Sequence, residues 1–204
     1  FFDYQMNWMY WRYFMWNFAG RQNDIHSPSP GDPFIGNWES GIAPLDNLRL
    51  GDQSKAPGYL KDNPAKNHYY MLPLILGLVG LFFQFSRDKR GCWLTFLMFF
   101  MTGIAIVVYL NQPPFQVRER DYAYAGSFYS FSIWIGLAVA AVYSWMENAK
   151  KSKAAVVSAS AVTVVLLGVP ALMASENWDD HDRSNRYTAV EMAKRWGVNE
   201  TDAA

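Results

Sequence analysis

Four blocks of the chain are apolar at nearly every position, and short polar segments separate them: residues 69–85, 92–110, about 123–146 and 154–174. None of the four contains Lys, Arg, Asp or Glu. A helix rises about 1.5 Å per residue, so roughly 20 apolar residues cross about 30 Å of hydrocarbon. A buried helix of a water-soluble protein is also apolar all round, but four such runs in close succession leave too little polar chain to cover them. The pattern therefore predicts an all-α fold, a polytopic membrane bundle of four transmembrane helices. Pro73 falls in the first turn of the first block, where a missing N–H is harmless, while Gly168 and Pro170 loosen the last turns of the fourth.

The opening segment, FFDYQMNWMYWRYFMWNFAG, is interrupted by Asp3, Gln5, Asn7, Arg12 and Asn17 and is too polar to span. Met6, Tyr10, Tyr13 and Phe14 nevertheless keep helical spacing, and Gly20 suits the left-handed position that ends a helix. Rings that carry polar atoms favour the headgroup zone, which predicts an interfacial aromatic helix on the outer side, near a lipid or substrate groove. Packing of those rings against the spans is the alternative. From Gln22 to Asn67 the chain is punctuated by Gly, Pro, Asn and Asp and reads as a long loop, with Trp38, Ile42, Leu45 and Leu48 available to tie it down. After the last block, TAVEMAKRWG has Thr188 and Glu191 at capping-box spacing and Gly197 as a stop. The expected organisation is residues 1–68 as an extracytoplasmic interfacial helix and loop, 69–174 as the four-helix membrane region, and 175–204 as the start of an extracytoplasmic soluble helical domain. The first residue is not Met and the last lies outside any evident element, so a piece of a longer polypeptide is expected.

Composition sharpens this picture. Apolar residues make up 51% of the chain and aromatic ones 17%, yet the mean hydropathy is only −0.10, so the apolar residues are concentrated in blocks. Lys and Arg balance Asp and Glu, which argues against a nucleic-acid partner. One cysteine, Cys92, excludes an internal disulfide framework. Arg87, Lys89 and Arg90 follow the first block, and Lys150, Lys151 and Lys153 follow the third; by the positive-inside rule both segments face the cytoplasm. Both chain ends then lie on the opposite side, together with Lys61, Lys66, Arg118 and Arg120.

The densest chemistry stands between the second and third blocks, where Arg118, Glu119, Arg120 and Asp121 run into Tyr122 and Tyr124 after a stiff Pro113-Pro114 pair. Charges at a span end commonly pair with one another. A guanidinium fork also matches a phosphate, and hydrogen bonds to it strengthen at the low dielectric of a membrane surface. Under that second reading Arg118 and Arg120 hold a lipid phosphate while Glu119 and Asp121 orient them or meet a sugar hydroxyl. Asp179, Asp180, His181 and Asp182 superficially resemble a metal cluster, but consecutive side chains diverge and no matching second group follows, so no metal site is expected. His26 and His68 stand alone, and the chain has no nucleophile elbow, phosphate-binding glycine loop or dinucleotide fingerprint. NET at Asn199 matches a glycosylation triplet, a pattern common by chance.

The segments MYWRYFMWNFAGRQND, GNWESGI, QPPFQVRERDYAYAGSFYSFSIWIG and DDHDRSNRYTA resemble the bacterial membrane proteins grouped as domain-of-unknown-function family 2723, associated with protein O-mannosyltransferase-like glycosyltransferases of the C superfamily. The resemblance implies transfer of a sugar from a polyprenyl-phosphate donor to a hydroxyl of an acceptor protein or glycan, outside the cytoplasm of a bacterial inner membrane. It implies no cofactor beyond the lipid-linked substrate. In such enzymes an acidic residue in the first outer loop is the expected base, and this chain resembles only their middle, so no catalytic base is assigned. What carries over is the outer loop Arg118–Asp121 with Tyr122 and Tyr124, as a donor or lipid-phosphate element. A non-catalytic membrane scaffold or transporter subunit, with the charged loop as an ion-pair latch, is the competing expectation.

Overall fold

The computed structural model describes residues 2–25, 31–61, 63–113, 120–149 and 153–181. The chain opens as a π-helical segment, Phe2–Trp11, that tightens into α1, Arg12–Phe18. Helix ends leave carbonyls unsatisfied, and here Ala19 N–H caps the Met15 carbonyl at 2.7 Å. Gly20 then takes φ +138°, and a Cβ on it would lie 2.3 Å from the Glu39 carbonyl oxygen, so only glycine permits the chain to leave at this point. It enters β1, Gly20–Arg21, which pairs antiparallel with β2, Asn67–His68, while Arg21 also bridges to Trp38.

Between β1 and β2 lie α2, Ala43–Leu50, and the single turn α3, Gly58–Lys61. Of the apolar anchors expected to tie this stretch down, Trp38 and Leu45 are half-buried, whereas Leu48 is exposed and Ile42 borders on exposure. Buried amides and carboxylates supply the rest. Asn23, fully enclosed, receives Gly36 N–H on Oδ1 and donates to the Phe34 carbonyl, both at 2.8 Å. Gln22 Oε1 receives both N–H groups of Asn37, backbone and side chain, at 3.2 Å. Asp46 accepts from Ser40 N and Oγ at 3.0 Å and from Gly41 N at 2.8 Å. A loop rich in Gly, Pro, Asn and Asp has little apolar area to bury, so satisfying backbone N–H groups with side chains is what fixes its path.

The membrane-type helices follow: α4, Leu72–Arg87; α5, Lys89–Thr102; α6, Ile104–Leu110; α7, Ala125–Ala149; α8, Lys153–Leu166; and α9, Gly168–His181. Among the described residues three stretches are long and apolar enough to cross a membrane: Lys89–Leu110, Tyr122–Met146 and Ser160–Trp178. The block expected at 69–85 is a shorter helix of 16 residues, about 24 Å at 1.5 Å per residue. Its late start has a local cause, because Tyr70 and Met71 adopt positive φ of 52° and 56° and helix begins only at Leu72. The fourth block is displaced toward the C terminus relative to 154–174 and is interrupted at Leu167, between α8 and α9. The helix read at 188–197 and the charges Lys150 and Lys151 lie outside the described residues.

α4 runs parallel to α7. A Cβ on Gly77 would meet the Phe131 ring, one on Gly80 would meet the Trp134 backbone, and Arg87 donates to Ser144 Oγ at 3.3 Å, so both residue numbers rise together along the contact. Without a side chain at 77 and 80, the helices approach at backbone distance, where dispersion is strongest. Gln84 links three helices: Trp134 Nε1 donates to its Oε1 at 2.8 Å, and its Nε2 reaches Thr95 Oγ1 at 3.5 Å. The opening helix closes the core. Phe14 and Phe18 pack with Phe131 and Trp134, and Tyr10 packs with Val107 and Tyr124, so one aromatic face is a packing face while Phe2 and Trp11 stay exposed.

Candidate functional site

Arg118 and Glu119 of the charged loop lie outside the described residues, as does the Asp121 side chain. Arg120 is exposed, and its carbonyl receives Ala123 N–H at 3.1 Å, starting the 3₁₀ turn Asp121–Tyr124. Tyr122 is exposed, whereas Tyr124 is only 1% exposed and meets Tyr10 edge-on, ring centres 5.6 Å apart. Tyr124 thus belongs to the core of the bundle, with its carbonyl taken by Ser127 Oγ at 2.7 Å. On the other side of the loop, Gln5 Nε2 donates to Asn111 Oδ1 and the Gln112 carbonyl, both at 2.8 Å. Asn111 and Gln112 are therefore pinned to the opening helix, whose next turns line a cavity.

That cavity, of about 280 Å³, is polar and is formed by Asn7, Arg12, Asp32, Asn37, Trp38 and Arg49 among others. Arg12 is almost fully buried. Its guanidinium carbon lies 4.1, 4.7 and 4.8 Å from the ring centres of Trp8, Tyr13 and Trp16. Ring faces attract a cation, and two carbonyls add to this: Nε donates to Trp8 O at 3.0 Å and Nη1 to Gly36 O at 3.2 Å. Across the cavity Arg49 stacks 3.8 Å over Trp38 and donates to the Trp38 carbonyl. Burial draws its pKa below the ordinary value, while the negative charges of Asp46 and Glu39 act in the opposite direction. An anion in the cavity would act in the same sense as those carboxylates. Asp32 brings a carboxylate to the same wall, one oxygen of which accepts Phe34 N–H at 2.8 Å.

A second, apolar groove of about 510 Å³ adjoins the first, sharing Asn7 and Trp38 with it. Trp11 and Met15 of the opening helix, Leu78 of α4, Phe96 of α5 and Trp134 of α7 line it. The arrangement is amphiphilic: a pocket with two guanidiniums opens onto a trough of rings and leucines between helices.

Behind Trp38, Glu39 lies with Lys66 Nζ 3.2 Å from one carboxylate oxygen and His68 Nε2 3.6 Å from the other. Burial raises the Glu39 pKa, but the contacts with His68 and Lys66 outweigh it and leave the carboxyl below its ordinary value of 4.5. A carboxyl depressed by folding contributes stability above its unfolded pKa and loses it as pH falls through the folded one. Thermal midpoints should therefore decline below about pH 4.5, and the decline from about pH 5 to about pH 3 should be smaller in Glu39→Gln. Equal declines in the two proteins would show that this carboxyl is not the titrating group.

Sequence reasoning placed the candidate cationic site on the charged loop, of which Arg118 and Glu119 lie outside the described residues, and did not single out Arg12 or Arg49. A lone Arg in WMYWRYFMW was a signal, since an isolated charge among rings is expensive unless stacked and bonded. Arg49 gave no such signal, because its cavity neighbours Asp32, Asn37 and Trp38 lie eleven to seventeen residues back along an irregular loop and Asn7, Trp8 and Arg12 lie more than thirty residues away. His181 ends α9, its Nδ1 3.1 Å from the Asn177 carbonyl. No family model, curated protein or solved structure matches the chain.

Proposed function

We propose that the chain is part of an integral-membrane glycosyltransferase that moves a sugar from a polyprenyl-phosphate donor to an acceptor hydroxyl on the extracytoplasmic side. The observation that carries this reading is the junction at Asn7 and Trp38 of a polar cavity holding Arg12 and Arg49 with an apolar groove between helices. A ligand with an anionic phosphate at one end and an isoprenoid chain at the other has that polarity. Asp32 and Asn37 beside the guanidiniums suit hydroxyl groups, as a sugar attached to the phosphate would present. The resemblance of the charged loop to the glycosyltransferase family is in keeping with this reading, and Gln5 ties Asn111 and Gln112, which precede that loop, to the helix lining the cavity.

In this reading α4 is a fourth, tilt-free crossing that spans a locally thinned bilayer, and the opening helix lies at the outer boundary with Trp11 and Phe2 toward lipid. Arg87, Lys89 and Arg90 face the cytoplasm. In the reaction the acceptor oxygen bonds to the anomeric carbon as the bond from that carbon to the phosphate oxygen breaks; the hydroxyl proton passes to a base and the phosphate leaves with the electron pair. Guanidiniums near the phosphate stabilise the charge that develops on it.

Full-length protein in proteoliposomes, supplied with a panel of radiolabelled polyprenyl-phosphate hexoses, is expected to bind at least one of them and release polyprenyl phosphate in the presence of acceptor. Absence of binding to every member of the panel would overturn the reading.

A further inference from the structure

A third cavity, of about 520 Å³, lies on the opposite flank of α1, between that helix, the β1–β2 pair and α9. Its polar lining comes from Asn17, Arg21, Asn67, Tyr69, Asn177 and His181, and its rings include Tyr13 and Trp16. We infer that this cavity is a carbohydrate-binding site and that the acceptor of the proposed transfer is a glycan. The second half of that statement rests on the glycosyltransferase reading, while the first half does not.

The chemistry of the lining selects the ligand. A carboxamide both donates and accepts in one plane, which matches adjacent sugar hydroxyls, and three amides from three separate elements converge here. Two are held in place. Asn67 Oδ1 receives Arg21 N–H at 2.9 Å and its Nδ2 donates to Asn177 Oδ1 at 3.1 Å, while Asn177 Nδ2 donates to the Tyr69 hydroxyl and to Met173 O at 2.7 Å. The third, Asn17, is tied only through Nδ2, to Tyr13 O at 2.8 Å in its own helix, so its Oδ1 is presented to an incoming group. Rings and Met173 offer apolar surface to the C–H face of a pyranose. No Asp or Glu is among the lining residues, which disfavours a cation. The single guanidinium, Arg21, is partly engaged, with its Nε donating to Ala65 O at 2.7 Å. The volume falls in the range of small-ligand pockets.

Position supports a role beside the donor site. Trp16 lines this cavity, and its Nε1 donates at 2.9 Å to the carbonyl of Asn37, which lines the polar cavity. A saccharide here and a lipid phosphate near Arg49 would therefore be linked through one indole and the Asn37 carbonyl it bonds.

Saturation-transfer NMR on the full-length protein in nanodiscs, with neutral hexose mono- and disaccharides and with a hydroxyl-bearing peptide as probes, tests this directly. Saturation transfer to at least one saccharide is expected, weakened about threefold to tenfold by Asn17→Leu, an exposed position whose side-chain hydrogen bond stays within its own helix. Asn177→Leu should weaken it further, with α9 retention checked by helical circular dichroism. Arg49→Gln should leave saccharide binding unchanged while reducing polyprenyl-phosphate binding, which separates failure of this site from failure of the donor reading. No saccharide binding, binding indifferent to Asn17→Leu, or Asn17-sensitive binding of the peptide alone would each overturn the inference.

Discussion

Gly80→Ala is expected to destabilise the bundle by about 3 kcal/mol or more, well above the usual effect of one added methyl group. The new Cβ would stand 1.7 Å from the Trp134 carbonyl oxygen, 2.6 Å from its carbon and 3.0 Å from Ala138 N. All three are backbone atoms, so no rotamer change relieves the clash and α4 must move away from α7. That separation also breaks the bond between Trp134 Nε1 and Gln84 and opens the apolar groove, which Trp134 lines. Gly77→Ala is the internal comparison. Its Cβ would approach the Phe131 ring at 2.2 Å, but a ring can swing, and a smaller cost of about 1–2 kcal/mol is expected. Unfolding of both variants in mixed detergent micelles, followed by tryptophan fluorescence, gives the ranking. A Gly80→Ala protein as stable as wild type would rule out this register between the two helices.

The second large effect concerns Arg49. Arg49→Gln is expected to weaken binding of polyprenyl phosphate about tenfold to a hundredfold, the value of a charge-assisted hydrogen bond of about 1.5–3 kcal/mol. Arg49→Lys should restore only part of it, because an ammonium keeps the charge but loses both the planar fork and the stacking on Trp38. Neutral polyprenol supplies the control: its affinity should be low and unaffected by either substitution. Arg12 is a poor choice for this experiment, since its guanidinium is stacked among three rings and bonded to two carbonyls, so its removal would disturb the fold of the opening helix. If polyprenol and polyprenyl phosphate bound equally well to wild type, the polar cavity would not be a phosphate site.

Much of the membrane architecture was legible because its cause is local. A run such as residues 92–110 has a composition that only hydrocarbon accommodates, and Lys89–Leu110 emerges as the longest-range statement the sequence makes by itself. The helix stop at Gly20 was legible for the same reason, since one residue without a Cβ marks one backbone conformation. Where the first block's start shifted, the cause was a backbone feature without a residue signature. Tyr70 and Met71 are neither Gly nor Asn, yet both take positive φ and delay α4. The loop between β1 and β2 was misjudged in its means rather than its place, because Asn23, Gln22 and Asp46 act through partners ten or more residues away or through the path of a turn, and a hydrophobic pattern is blind to both. The cavities were illegible for a stronger reason. Asn7, Trp38 and Leu78 meet only after the opening helix has packed across α4, and no spacing along the chain records that event.

Trp16 gives this arrangement one more consequence. Its indole bonds to the rim of one chamber and forms the wall of another, so a guest that reorients the ring on either side must alter the affinity on the other by an equal factor. Order of arrival is then immaterial to the final complex.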